Sequence, residues 1–374
     1  MRFTNPYVDP FKTWLTPDMP VFDEECYTRY TQHRKVYDKL WVVKSQGLNG
    51  GPLEQLTGRE NTITYPIFIK PRWGHLSAAS KNCYKIKSAA DLQPFIHYPH
   101  MMWSDFVDAK EGMTDYFLLH GRICHQLTYV YSEKQNGFSD DWKLISCKST
   151  PPIKITSWVE QHLRNFTGVV NVQYRSDKII EVGLRLARGG AYLVSTQCSP
   201  LIKNVNSLFT HETWDFSKQE QMMFDDFYVF KCFTTVPIVY LLPYYIMNTF
   251  IKQHTPEPFH EWYFEPAGGE GMVFYQFMDN DFDRGMKTKQ RLEGLFSSVQ
   301  IVVLVMLVIA WIILFVSDWK YKYVFAIFTL VFLSTRFINP MIANFNLYKA
   351  QRQSLIGGGP VVGPVSDDAS SIVL

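Results

Sequence analysis

The chain has 374 residues, 47% of them hydrophobic and 19% charged, and a formal net charge of +2. That is enough apolar material for one large domain or two modest ones before residue 295, and too little net charge to draw in a nucleic acid by bulk electrostatics. The six cysteines, Cys26, Cys83, Cys124, Cys147, Cys198 and Cys232, lie far apart with no CxxC pair, which argues against a thiolate metal cluster and a disulfide framework.

Residues Met1–Glu25 contain four prolines and many aromatics with weak periodicity, so they read as an extended arm, residues 1–29, lying along another surface. The opening MRFTNPYVDPFKTW has no basic region followed by an apolar core, so no cleavable leader is expected. From Cys26 to Gln46 the spacing of Tyr30, Val36, Leu40 and Val43 predicts a helix, ended by Gly47 to Pro52.

Two strand-like segments come next, Thr62–Ile69 and Cys83–Ile86, with Pro66 pointing the first to an edge or irregular position. Between them lies a turn of small residues from Trp73 to Ser80 whose amides can face a ligand. Ser88 to Leu92 starts a short helix. Thr114–Leu119 and Ile123–Tyr131 read as strands joined by a hairpin-like turn at His120-Gly121, and Trp142–Ser146 as another strand. A helix over Ser157–Phe166 then precedes an antiparallel pair, Val169–Tyr174 and Ile179–Leu186, around the turn from Arg175 to Lys178. The span Thr62–Ser195 is therefore α+β.

Phe224–Ile251 is apolar but broken by Lys231, Pro237 and Pro243, which leaves an interfacial membrane contact or a buried pair of short helices. Pro266 to Gly271 reads as a flexible loop, without the lysine a phosphate loop needs. Leu295–Ser317 is uncharged. At 1.5 Å per residue it makes roughly 35 Å of helix, against a hydrocarbon layer of about 30 Å, and reads as a membrane span. A second apolar run, Tyr323–Leu333, extends to Phe337 if Arg336 snorkels, and completes a hairpin over residues 295–337; one span plus an interfacial helix is the alternative. Arg284, Lys287, Lys289 and Arg291 before the pair, and Arg336, Lys349 and Arg352 after it, put both flanks on the cytoplasmic side. Residues 196–294 would be membrane-proximal, and the Gly/Pro-rich tail, residues 338–374, would lack a fold of its own.

Chemistry concentrates in Lys70, Glu111, Asp115, Gln173, Glu181 and Arg185. A lysine beside a loop of small residues suits nucleotide phosphates, and carboxylate and amide oxygens on adjacent strands suit Mg²⁺. Singly, a strand-end lysine is usually a solvated tip and Glu181 with Arg185 an ordinary ion pair. Order and spacing give the set its weight. YPIFIKPRWGHLSAAS, WSDFVDAKEGMTDYFLLHG and VNVQYRSDKIIEVGLRLARGG follow one another as in the ATP-grasp carboxylate–amine ligases, and residues 30–195 resemble that fold.

The resemblance implies phosphate contacts from Lys70 and Arg185, which would carry the catalysis, and a mobile loop containing Ser77. It implies an adenine position at Asp105 to Val107, a ribose contact from Glu111, a nucleotide contact from Gln173, and metal binding by Glu181 and Gln173. Gly183 stands where the family has a metal-binding asparagine. With the hairpin, the degenerate site also resembles the minor capsid proteins of large icosahedral DNA viruses, the algal ones especially.

Two expectations follow. The first is a structural protein without cofactor, joining the internal membrane of a virion, or a host membrane, to neighbouring capsid or minor capsid proteins; its partners would be the lipid bilayer and those proteins, with no nucleic acid. The alternative is a membrane-anchored ligase using ATP and Mg²⁺ to form an acylphosphate from a carboxylate.

Overall fold

Alternating apolar residues build the larger of two sheets. A computed structural model describes residues 14–76, 82–132, 140–234, 260–266, 272–316 and 322–333. Strands β5 (Glu111–Leu119), β6 (Arg122–Tyr131), β7 (Trp142–Ser146), β8 (Gly168–Arg175) and β9 (Lys178–Gly183) join β10 (Phe227–Thr234), β11 (His260–Pro266) and β12 (Met272–Asp279) in one antiparallel sheet of eight, ordered β11-β12-β10-β7-β6-β5-β8-β9.

Side chains alternate between its faces along each strand. Tyr116, Leu118, Val170 and Val172 pack on one side against Ile155, Trp158 and Val159 of α4 (Ile153–His162). Phe117, Leu127, Tyr129 and Val169 pack on the other against α5 (Ala191–Ser195) and α6 (Ser199–His211). The β5–β6 turn needs its glycine: Gly121 has φ +82°, and a Cβ there would sit 1.5 Å from the Arg164 carbonyl oxygen.

A smaller antiparallel sheet, ordered β1-β4-β2-β3, is made by β1 (Gly50–Pro52), β2 (Ile67–Pro71), β3 (Tyr84–Ile86) and β4 (Met101–Asp105). Its own core of Ile67, Ile69, Ile86 and Met101 is closed by Leu92 of α3 (Ala89–Leu92), a helix capped by the Ser88 hydroxyl. The stretch from Phe106 to Lys110 links the two sheets.

The single helix expected over Cys26–Gln46 is two. α1 (Asp23–Arg29) opens with Asp23, Glu24 and Glu25, favourable at a helix N-terminus. A 3₁₀ turn over Arg34–Tyr37 separates it from α2 (Lys39–Ser45), which starts anew because the Asp38 carboxylate accepts the Leu40 amide at 3.0 Å. α2 lies against β9 and α1 against the residues that follow it, so that this outer edge is dressed by side chains. Gln46 pairs with the backbone of Ile179, the Tyr37 hydroxyl accepts the Leu184 amide, and the Cys26 thiol donates to the Leu184 carbonyl.

The C-terminal part corrects several expectations. Phe227–Thr234 is a strand, neither an interfacial segment nor part of a helix pair; residues 235–251 lie outside the described residues. The aromatic-rich run around the expected Gly-rich loop supplies β11 and β12, with residues 267–271 outside the described residues. α7 (Phe282–Val316) begins thirteen residues before the apolar run, on the sheet, with Leu292 and Phe296 buried against Phe230 and Phe274. Its Lys289 is paired with Asp141 and Glu293.

Beyond Phe296, apolar side chains such as Met306 and Ile313 are exposed. α8 (Lys322–Leu333) has 12 residues, roughly 18 Å, well short of a bilayer core. Among the described residues no helix is long and apolar enough to cross a membrane. This overturns the transmembrane hairpin, and with it the two-pass localisation and the lipid bilayer as a partner. Residues 317–321 and 334–374, including the expected turn and tail, lie outside the described residues.

Candidate functional site

The register of the large sheet puts the polar candidates on one face. Gln173 stands opposite Met113 on β5 and Glu181 on β9, and Asn171 stands opposite Asp115 and Gly183. Glu111, Met113 and Asp115 therefore share a side with Gln173, Glu181 and Gly183. Toward α5 and α6 this face is apolar; at the Glu111 end it is charged.

Lys70 reaches this face from the small sheet. It lies near the C-terminal end of β2, is only 6% exposed, and its Nζ donates to the Ile180 carbonyl at 2.6 Å. Rather than a solvated strand tip, Lys70 is thus a buried ammonium bridging two sheets. Burial, and then the neighbouring Lys39, bring its pKa down to about 8, against the opposing pull of Glu181, Cys83 and Glu111. Lys39, a residue the sequence did not single out, is equally buried at the start of α2, with Nζ 3.2 Å from Glu181 Oε1. Two ammonium groups from different elements thus converge on β9, one on the Glu181 carboxylate and the other on the adjacent carbonyl.

Glu111 is paired with Arg175 at 3.2 Å, and Arg175 also donates to the Val107 carbonyl at 3.5 Å. Burial raises the Glu111 pKa although Arg175 opposes it. Asp105 is exposed at the end of β4 and accepts from the Asn49 amide at 2.9 Å; with Phe106 and Val107 it forms the start of the link between the sheets. Asp115 has a supporting role. Wholly buried, it accepts from Tyr129, Asn171 and the Ala187 amide, and burial carries its pKa up to about 6 against those hydrogen bonds. Lys143, opposite Tyr131, lies over the rings of Tyr131 and Tyr192 and pairs with Asp140. Ser77 lies outside the described residues.

Arg185 does not point into open space. Its Nη2 is 2.7 Å from Asp23 Oδ2 of α1, and its Nη1 donates to the Leu186 carbonyl. The other oxygen, Asp23 Oδ1, is buried and finds no hydrogen-bond donor among the described residues. It lies 3.0 Å from the position a Cβ would take on Gly183. The set of oxygen donors here, Glu181, Gln173 and Asp23, is hard and suits Mg²⁺ better than a softer metal. Among the described residues no three His, Cys, Asp or Glu side chains gather as a ready-made metal cluster.

The arrangement of a small antiparallel sheet linked to a large one has counterparts among known structures. The solved structure of carboxyaminoimidazole ribonucleotide synthase from Aspergillus clavatus, complexed with ATP, is similar at a TM-score of 0.52 and 8% identity, over 73% of this chain and 79% of that one. The same organism's N5-carboxyaminoimidazole synthase, with ADP and 5-aminoimidazole ribonucleotide, gives 0.51 and 8%, over 71% and 75%. The fold resembles the ATP-grasp fold. At this identity the likeness speaks for the fold alone. No family model matches the chain, and no curated protein matches it in sequence. The minor capsid expectation is corrected here: it took a membrane hairpin as its premise, and among the described residues no helix is long and apolar enough to supply one.

Proposed function

We propose that the chain is an ATP-dependent ligase that activates a carboxylate as an acylphosphate. The observation that carries this reading is the convergence of two buried ammonium groups on β9 between the two sheets, Lys39 on the Glu181 carboxylate and Lys70 on the Ile180 carbonyl. Two buried ammonium groups beside the single carboxylate of Glu181 leave an excess of positive charge, which a nucleotide's phosphates complement. Lys70, Lys39 and Arg185 bind the phosphate oxygens and stabilise charge as the terminal phosphoryl group moves to the acceptor carboxylate. Asp105 to Val107 border the base and Glu111 the sugar. Glu181 and Gln173 hold Mg²⁺, which when bound neutralises phosphate charge.

Calorimetric titration of the full chain with ATP and Mg²⁺ tests the reading. Saturable binding is expected, weakened at least about tenfold by Lys70→Met, which keeps the length of the buried stem. No binding at millimolar nucleotide overturns it. If binding is found, release of ADP on adding a panel of carboxylates and amines identifies the acceptor.

A further inference from the structure

Gly183 leaves a gap in the site, and α1 fills it. In an asparagine at this position, the side-chain oxygen would sit about 2.4 Å from Cβ by ordinary bond lengths. Asp23 Oδ1 lies 3.0 Å from the Cβ position, so a carboxylate oxygen from another element stands within the reach that an asparagine side chain would have. Asp23 is held there by its second oxygen on Arg185, and α1 is fastened just past the end of β9 through Cys26 and the Leu184 carbonyl. Arg185 fixes the carboxylate but occupies one oxygen only. The other is buried and without a donor among the described residues, an arrangement that costs free energy unless something electropositive is to complete it.

We propose that Asp23 is a magnesium ligand of this site, supplied by the N-terminal helix in place of the side chain that Gly183 lacks. The inference rests on the nucleotide reading above. Position 183 follows Glu181 by two residues on β9, so both project to the same face, and Gln173 stands opposite Glu181. Two carboxylates and an amide, completed by phosphate oxygens and water, are a sufficient set, because Mg²⁺ in nucleotide sites commonly takes one or two carboxylates from the protein. The swap also accounts for the glycine itself: any side chain at 183 would crowd the Asp23 carboxylate.

The test compares ATP with Mg²⁺ and ATP in chelator by calorimetry on the full chain, with Mn²⁺ in place of Mg²⁺ for a paramagnetic resonance readout of bound metal. Asp23→Ala is expected to weaken metal–ATP binding by tenfold or more and to leave metal-free ATP binding no weaker, since Arg185 loses a competing carboxylate. Asp23→Asn, which keeps an oxygen and the shape, is expected to lose less. Asp23→Ala combined with Gly183→Asn is expected to recover metal-dependent binding. Unchanged or tighter metal–ATP binding by Asp23→Ala overturns the proposal and makes the aspartate a plug on Arg185. Loss without recovery in the double variant also overturns it. Failure of the unaltered chain to bind ATP in either form refutes the nucleotide reading itself, a result distinct from both.

Discussion

Lys39 Nζ and Glu181 Oε1 meet at 3.2 Å, an ion pair that ties the first turn of α2 to the edge strand β9 and sets the charge around Lys70. Burial and Lys39 together lower the Lys70 pKa to about 8. Lys39→Met removes the second cause and leaves Glu181 to favour the charged form, so the Lys70 titration is expected to move upward. Side-chain NMR of labelled lysine reads this directly. The unfolded chain holds this proton to about pH 10.4, so between about 8 and 10.4 it binds more protons than the folded one, and Lys70 makes stability rise with pH. Lys70→Met should remove that part of the slope in urea unfolding.

Asp115 accepts three hydrogen bonds, from Tyr129, Asn171 and the Ala187 amide. Asp115→Asn turns an NH₂ toward existing donors and is expected to cost about 2–3 kcal/mol, read from urea midpoints. The folded pKa, about 6, lies above the unfolded value, so the folded state binds more protons between about pH 4 and 6. The stabilisation from this group is full below that window and is lost as pH rises through it. The asparagine variant should show a flatter profile there.

Asp140 lies buried between Lys143 and Lys231. Burial pushes its pKa up, but the two ammonium groups outweigh that and hold the carboxyl well below the usual carboxylate range. Asp140→Ala leaves two buried cations uncompensated and is expected to cost about 3–5 kcal/mol. Adding Lys231→Met should recover part of the loss. The stabilisation is present above the unfolded pKa near 4 and is lost only as pH falls toward the folded one. In the alanine variant this contribution to acid sensitivity should be absent.

Strands β5, β6, β8 and β9 were legible because short turns at His120-Gly121 and Arg175 to Lys178 mark off their β-branched and aromatic runs, even though β5 and β8 are buried over most of their length. β10 was not. Phe227, Val229, Phe230, Cys232 and Phe233 are all buried, so the period of two disappears into a continuous apolar run. α7 was hidden for the opposite reason: one helix carries both a charged, sheet-packed beginning and the uncharged stretch, and only the latter stands out in hydropathy. Within the site, Lys70, Glu181 and Arg185 stood out by spacing. Lys39 looked like any lysine on a helix, and Asp23 lies 162 positions from the arginine it holds. Only the folded chain places it beside Gly183.

The dressing of β9 has a consequence for how molecules of this chain meet. A bare terminal strand invites a neighbour to zip onto it, and large sheets open at both ends grow into fibres that way. Here the amide of Gln46, the ammonium of Lys70, the phenol of Tyr37 and the thiol of Cys26 already occupy carbonyl and amide groups along that margin. Self-polymerisation through it would first require the N-terminal helices to peel away, so a chain trimmed of α1 and α2 should be the sticky one.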